Sequence, residues 1–125
     1  MEPAAELWQA WADGRLCFQQ CDACGAGQHP PGPVCASCHA TALHLASSDG
    51  HGTLVSWSTV HRAPAPAFAS DVPYTIGLVA IPDGALIEAR VRAGISPDGW
   101  APGLSVTMTI GEVAGRSQPV IDAVG

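Results

Sequence analysis

Two Cys-x-x-Cys pairs, Cys21-Asp-Ala-Cys24 and Cys35-Ala-Ser-Cys38, stand ten residues apart. At that separation both pairs can aim their sulfurs at one point, and four thiolates at one point make a tetrahedral metal site. The residues between them include Gly25, Gly27, Pro30, Pro31, Gly32 and Pro33. This is loop and hairpin material, which lets the second pair fold back on the first. Four sulfurs complete the shell of Zn2+ and leave no position for substrate, so the expected role is structural. Iron in a rubredoxin-like site takes the same four ligands. The spacing therefore names the site before the ion, with zinc expected and iron the alternative. A thioredoxin-like redox use of one pair would not need the second. A disulfide framework requires an oxidising compartment, and the opening Met1-Glu-Pro-Ala-Ala-Glu6 has neither the basic nor the apolar run of a signal peptide. The expected location is cytoplasmic.

The 125 residues suit one compact domain or two very small ones. No apolar run approaches the roughly 18 residues of a membrane span, so no membrane partner is expected. The chain has five Arg, no Lys, eleven acidic residues and a net charge of −6. Nucleic-acid binding draws on clustered Lys and Arg and on aromatic stacking platforms, and this balance argues against it. Few charges together with Trp8, Trp11, Trp57 and Trp100 imply a surface partly covered by another protein. The plainer reading places those tryptophans in the core.

Residues 3–13 read as a short helix stopped at Gly14, with Leu7, Trp8 and Trp11 on one face and Glu2, Glu6, Gln9 and Asp13 elsewhere. A helix this short needs a surface to dock on, either its own domain or a partner; Trp8 and Trp11 are the candidate docking residues. Arg15–Gln20 reads as a strand entering the first Cys pair, and Ala42–Ala46 as the strand that closes the ribbon. Cys17 lies outside both pairs and reads as a small buried hydrophobe. His29, His39 and His44 read as surface residues.

The polar, Gly-rich stretch Ser47-Ser-Asp-Gly-His-Gly52 marks a boundary, giving a helix and zinc ribbon over 1–46 and a second module over 47–125. That module reads as strands. Leu54–Arg62 places Val55, Trp57, Thr59 and His61 on one face. Pro73–Ile81 is apolar enough for burial on both faces. Leu86–Arg92 turns Ile87, Ala89 and Val91 inward. Leu104–Ile110 does the same with Leu104, Val106, Met108 and Ile110. Gly111 offers a bulge, and Gln118–Ile121 is a last short strand. Five short strands with little helical period predict a small Greek-key barrel of the OB type. The expected fold is thus mainly β: a short helix and rubredoxin-like zinc ribbon, then a five-stranded OB-fold.

These pieces, taken in order, carry a resemblance. Trp11 with Gly14-Arg-Leu16 precedes Cys21-Asp-Ala-Cys24-Gly25, and His29-Pro-Pro31 precedes Cys35-Ala-Ser-Cys38. Gly50-His-Gly52, Thr59-Val-His-Arg62, Ala65-Pro-Ala-Phe68, Pro73-Tyr74 and the Val79 strand follow. The double knuckle alone is widespread; the whole series is more specific. The chain resembles the small zinc-ribbon plus OB-fold proteins that accompany thiolase-like enzymes acting on acyl-CoA. The resemblance implies a non-catalytic subunit of a hetero-oligomer. Its implied partners are thiolases, lipid-transfer-protein-type thiolase homologues that make or break carbon–carbon bonds, or hydratases. The implied substrates are CoA thioesters of lipid or polyketide-like metabolism. One departure is Gly32, where the family usually has a basic residue after the double proline.

No catalytic set stands out. There is no phosphate loop, no lysine and no Ser-His-Asp pattern, and Asp49, His51 and His61 read as turn or surface residues. Arg62 and Phe68 flank a Pro-rich loop and combine a cation with an apolar ring. They are the candidate contacts to a partner near an acyl-CoA entrance, since arginine holds phosphates and an acyl chain needs an apolar wall. The competing classes are a nucleic-acid-binding ribbon/OB protein and an iron-bearing electron carrier.

Overall fold

The computed structural model describes residues 3–125; Met1 and Glu2 lie outside the described residues. Helix α1 (Pro3–Ala12) begins at a proline, whose missing N–H is not needed in a first turn. It ends where Gly14 takes φ +82°. There Arg15 N–H reaches Ala10 O at 2.9 Å and Gly14 N–H reaches Trp11 O at 2.9 Å, the double bond of a Schellman cap. The buried face is Leu7, Ala10 and Trp11. Trp8 stays 46% exposed.

The ribbon sheet has three antiparallel strands, β1 (Cys17–Cys21), β2 (Gly27–Gln28) and β3 (Leu43–Ser47), with β1 in the centre. Five further strands close a barrel: β4 (His51–Val60), β5 (Tyr74–Ala80), β6 (Leu86–Val91), β7 (Ser105–Val113) and β8 (Arg116–Val124). Their order around the barrel is β4-β5-β6-β8-β7, with β7 returning to β4. Only β6 and β8 pair in parallel. This is the five-stranded Greek-key barrel of an OB-fold, as expected.

The barrel core is built from Leu54, Val79, Ile87, Ala89, Val106, Met108 and Ile121. Leu16 and Phe18 from the ribbon side join the same cluster, so β1 contributes to the barrel core. A second cluster joins Leu7, Ala10 and Trp11 to Cys17, with Leu45 and Ile110 against it. The helix therefore docks on its own chain. Burying one leucine such as Leu7 contributes about 1.5–3 kcal/mol.

Gly50 and Gly52 mark where chain passes closest to chain. A Cβ on Gly50 would lie 2.3 Å from Met108 O, at a backbone φ of +89°; one on Gly52 would lie 2.4 Å from Val79 Cγ1 and 3.0 Å from Ala80 O. The Gly-His-Gly stretch is thus the place where β4 enters the barrel against β7 and β5.

Four details differ from the sequence expectations. The register of β4 against β5 slips between Leu54 and Ser56. This bulge turns Leu54 into the core and leaves Val55 exposed, so Val55 does not share the Trp57 face. Strand β5 alternates: Thr75, Gly77 and Val79 are buried while Tyr74, Ile76, Leu78 and Ala80 are half-buried. The irregularity in β7 falls between Thr107 and Met108 rather than at Gly111, where the absent Cβ instead admits Val120. Strand β8 spans nine residues instead of four. Pro119 makes it look short in sequence. The strand is extended by a hairpin in which Val113 pairs with Arg116 around Ala114 (φ 51°) and Gly115 (φ 81°), the two positive φ values of a type I′ turn.

Candidate metal centre and adjoining groove

The four knuckle cysteines converge. Sγ of Cys21 and Cys38 lie 3.6 Å apart, as do those of Cys24 and Cys35, and all four fall within 4.8 Å of one another. A tetrahedral ion with metal–sulfur bonds of about 2.3 Å needs sulfur–sulfur edges of about 3.8 Å, so the donor set fits one ion. Cys21 and Cys35 are buried, Cys24 and Cys38 exposed.

Each knuckle is the same turn. Gly25 N–H bonds Cys21 O at 3.0 Å and His39 N–H bonds Cys35 O at 2.9 Å. Both residues have positive φ, +79° and +65°. Glycine takes that conformation freely, while His39 occupies it as a non-glycine residue. Amides inside the turns point at sulfur: Ala23 N–H at Cys21 Sγ (3.3 Å), and Ser37 and Cys38 N–H at Cys35 Sγ (3.4 and 3.5 Å). The amides of Cys38 and then Ser37 pull the Cys35 thiol down to about 6. At Cys38 the Ala40 amide also acts downward, but Cys21, burial, Cys24 and Cys35 together push it up to about 12. Sulfurs this close cannot all ionise unless a cation lies between them. A closed four-sulfur shell would hold a metal as a cross-link, and it offers no site for substrate.

Beside the ribbon, the helix and the outer barrel face enclose a groove of about 310 Å3. One wall carries Trp8 and Trp11, edge to face at 5.0 Å, with His29 5.8 Å from Trp11. The other carries Phe68 and Tyr74 at 6.2 Å. The Arg90 guanidinium lies 3.6 Å from the Tyr74 ring centroid, and Arg116 lies 5.5 Å from that of Trp8. His29 is half-buried, not a surface residue; its Nδ1 is shut from solvent and has no hydrogen-bond partner. Burial lowers its pKa below 6.5, against a smaller upward pull from Glu88. His39 and His44 are exposed as expected, and His44 pairs with Asp22 beside the first knuckle. A larger open cleft of about 770 Å3 lies on the far side of Arg90. Its arginines are paired, Arg90 with Asp71 at 3.4 Å and Arg92 with Asp122 at 3.2 Å.

The structure separates the residues singled out for partner or substrate contact. Phe68 lines the groove. Arg62 is exposed and borders neither cavity. Trp11 is 3% exposed, and its indole N–H reaches Cys17 O at 3.3 Å; Trp8 is the tryptophan left at the surface. Trp57 and Trp100 pack edge to face against the barrel core. The sequence reading missed Tyr74, Arg90 and Arg116 as neighbours of Phe68 and Trp8. Only the alternation of Glu88, Arg90 and Arg92 outward on one strand hinted at a charged outer face.

Comparison with known proteins agrees with this geometry. Residues 8–44 match the ChsH2 rubredoxin-like zinc ribbon domain, and residues 46–110 match the ChsH2 C-terminal OB-fold domain. The chain belongs to the ChsH2 family. A chain of the solved Ltp2-ChsH2(DUF35) aldolase superposes with a TM-score of 0.79 at 30% identity, covering 96% of this chain and 93% of that one. A DUF35-family protein of unknown function from Sulfolobus solfataricus, 14% identical, shares the fold with a TM-score of 0.59 over 96% and 86% of the two chains. Among curated sequences, a probable enoyl-CoA hydratase alpha subunit of Thermomonospora curvata is 33% identical over 101 residues. Those residues are 81% of this ChsH2-family chain but 31% of that relative, so the chain spans about a third of its length. Among the described residues no helix is long and apolar enough to cross a membrane.

Proposed function

We propose that this chain is a non-catalytic subunit of a thiolase-like enzyme that makes or breaks carbon–carbon bonds in acyl-CoA thioesters. The observation that carries the reading is the match along almost the whole chain to a ChsH2 chain described as part of an aldolase with Ltp2. In this reading Zn2+ occupies the Cys21, Cys24, Cys35 and Cys38 site as a cross-link, and the docking surface includes Trp8. Arg62 and Phe68 stand on the loop that faces the partner's acyl-CoA entrance.

A second reading, an accessory subunit of an acyl-CoA hydratase, is favoured by the hydratase name of the Thermomonospora relative. Co-expression with candidate partners separates the two. Retention of a thiolase-like chain and retro-aldol or thiolase activity of the complex supports the first, and retention of a hydratase chain with hydration of enoyl-CoA supports the second. Recovery of a lone chain that shifts DNA or RNA at low salt, with steep salt dependence, would sink both. Changing Arg62 and Phe68 to Ala raises the KM of the complex for acyl-CoA; an unchanged KM removes that loop from the proposal.

A further inference from the structure

We infer that Cys24 is the reactive thiolate of the four-sulfur centre, a modification site at which a small neutral oxidant such as hydrogen peroxide attacks and frees the metal. The inference rests on the reading of Cys21, Cys24, Cys35 and Cys38 as metal ligands.

The four sulfurs are alike in sequence and unlike in surroundings. Cys21 and Cys35 are buried, whereas Cys24 and Cys38 open to solvent. An oxidant reaches a thiolate only where it is accessible, so burial sets two of the four aside. Backbone amides separate the remaining two. An N–H aimed at a thiolate stabilises its negative charge and so lowers its nucleophilicity. Cys21 Sγ accepts from one amide and Cys35 Sγ from two, and the Ala40 amide serves Cys38. Among the described residues no N–H reaches Cys24 Sγ, which has Cys35 Sγ beside it at 3.6 Å. Cys24 alone is both open to solvent and without an amide on its sulfur.

The surroundings also select the oxidant. The chain carries a net charge of −6, and no arginine or lysine occurs from residue 16 to residue 61. An anionic disulfide such as oxidised glutathione meets an acidic chain with no cation in the ribbon to draw it in; a neutral peroxide meets no such barrier.

With peroxide the step balances. The Cys24 thiolate attacks one peroxide oxygen: an S–O bond forms, the O–O bond breaks and hydroxide leaves. The Cys35 thiolate then attacks the Cys24 sulfur: an S–S bond forms, the S–O bond breaks and a second hydroxide leaves. Two thiolates lose two electrons and one peroxide gains them. The centre has then lost two of its four donors and releases its ion. β1 stays in the barrel core through Phe18, so the oxidised chain keeps its barrel and loses the ordered knuckles.

The test uses the full chain loaded with zinc, its metal content measured first by elemental analysis. Under substoichiometric N-ethylmaleimide, peptide mapping by mass spectrometry is expected to find label on Cys24 at least about threefold ahead of Cys38 and about tenfold ahead of Cys21 and Cys35. Buried Cys17, outside the centre, is the internal control: label there at the rate of Cys24 would mean that unfolding supplies the thiols, and overturns the assignment. Hydrogen peroxide is expected to release zinc to a chromogenic chelator and leave a disulfide that includes Cys24. Cys24→His keeps four donors, since imidazole also binds zinc, and slows that release at least about fivefold, while Cys38→His leaves it near wild type. First label on another ligand cysteine, equal label on all four, faster release by equimolar oxidised glutathione, or equal release from the two variants overturns the assignment. The maleimide experiment needs no variant, so a variant that fails to fold leaves the site decided. A chain that takes up no zinc fails the metal reading and this inference with it. A chain that holds zinc and labels elsewhere fails this inference alone.

Discussion

Gln19 and Gly32 grip each other from both ends of one amide. Gly32 N–H donates to Gln19 Oε1 at 2.8 Å, and Gln19 Nε2 donates back to Gly32 O at 2.9 Å. Gln19 is 5% exposed on β1, and Gly32 is in the loop between the two knuckles. The same Gln19 oxygen accepts from Gln28 Nε2 at 2.6 Å, and Gln28 Oε1 accepts from Ala36 N–H at 2.8 Å, inside the second knuckle. Side-chain amides therefore set the path of the loop at Gly32.

Gln19→Leu keeps the size of the side chain and strands the Gly32 amide and carbonyl. Unpaired groups of this kind cost about 1–3 kcal/mol each when buried; with Gly32 half-buried the expected loss is about 2–3 kcal/mol. Urea unfolding reads it as a lower midpoint at unchanged slope. A midpoint equal to wild type would show that water replaces the side chain without loss.

Gly50→Ala is expected to destabilise by about 2–4 kcal/mol. The residue holds a left-handed backbone, which costs an L-residue about 1–2 kcal/mol, and the new Cβ would meet Met108 O at 2.3 Å, where the neighbour is backbone and cannot swing aside. Gly84→Ala is the control: it shares the positive φ but has open space around it, so only the backbone cost applies. Equal thermal shifts in the two variants would remove the close-approach explanation.

Removing the metal is expected to unfold the ribbon first. Structural zinc contributes on the order of 10–16 kcal/mol of apparent binding energy in small fingers, and the sheet of β1, β2 and β3 has little core apart from what it shares with the barrel and with α1. Chelation, or Cys35→Ala, should lower the melting temperature and abolish one-to-one metal content by elemental analysis. A colourless protein with one zinc supports the zinc site, and visible thiolate-to-iron absorption supports iron. Melting that is unchanged with the metal fully removed contradicts a structural role.

His29 should make stability fall in mild acid. Burial lowers its pKa in the fold below the ordinary 6.5, so between those two values the unfolded chain binds the proton and the folded chain does not. Stability is then full above about pH 6.5 and declines as pH falls toward the lowered value. His29→Gln removes that slope and leaves any contribution from thiolate protonation in place. The informative quantity is the difference between wild type and variant across pH 7.5 to 5. A constant difference would show that His29 does not titrate differently on folding.

Local chemistry made the ribbon legible. Cys-x-x-Cys spacing, the glycines and prolines between the pairs, and the Gly14 helix stop each act over a few residues, so residue order alone carries them. The same holds for the inward alternation of Ile87, Ala89 and Val91, which period-two patterning determines without reference to any neighbour. Barrel closure was legible only as a class, from the number and length of the strands. The bulge that turns Leu54 inward, the full length of β8 through Pro119, and the fate of Trp11 depend on which strand lies opposite, and no local pattern encodes that. The half-burial of His29 is not encoded locally: Trp11, whose ring lies 5.8 Å from it, arrives from eighteen residues away in sequence. The Cys21–Cys38 centre thus belonged to the sequence by itself. The groove beside it, where Trp8, Phe68, Tyr74, Arg90 and Arg116 meet, was decided only by packing the helix against the barrel, because its walls come from segments that share no local signal.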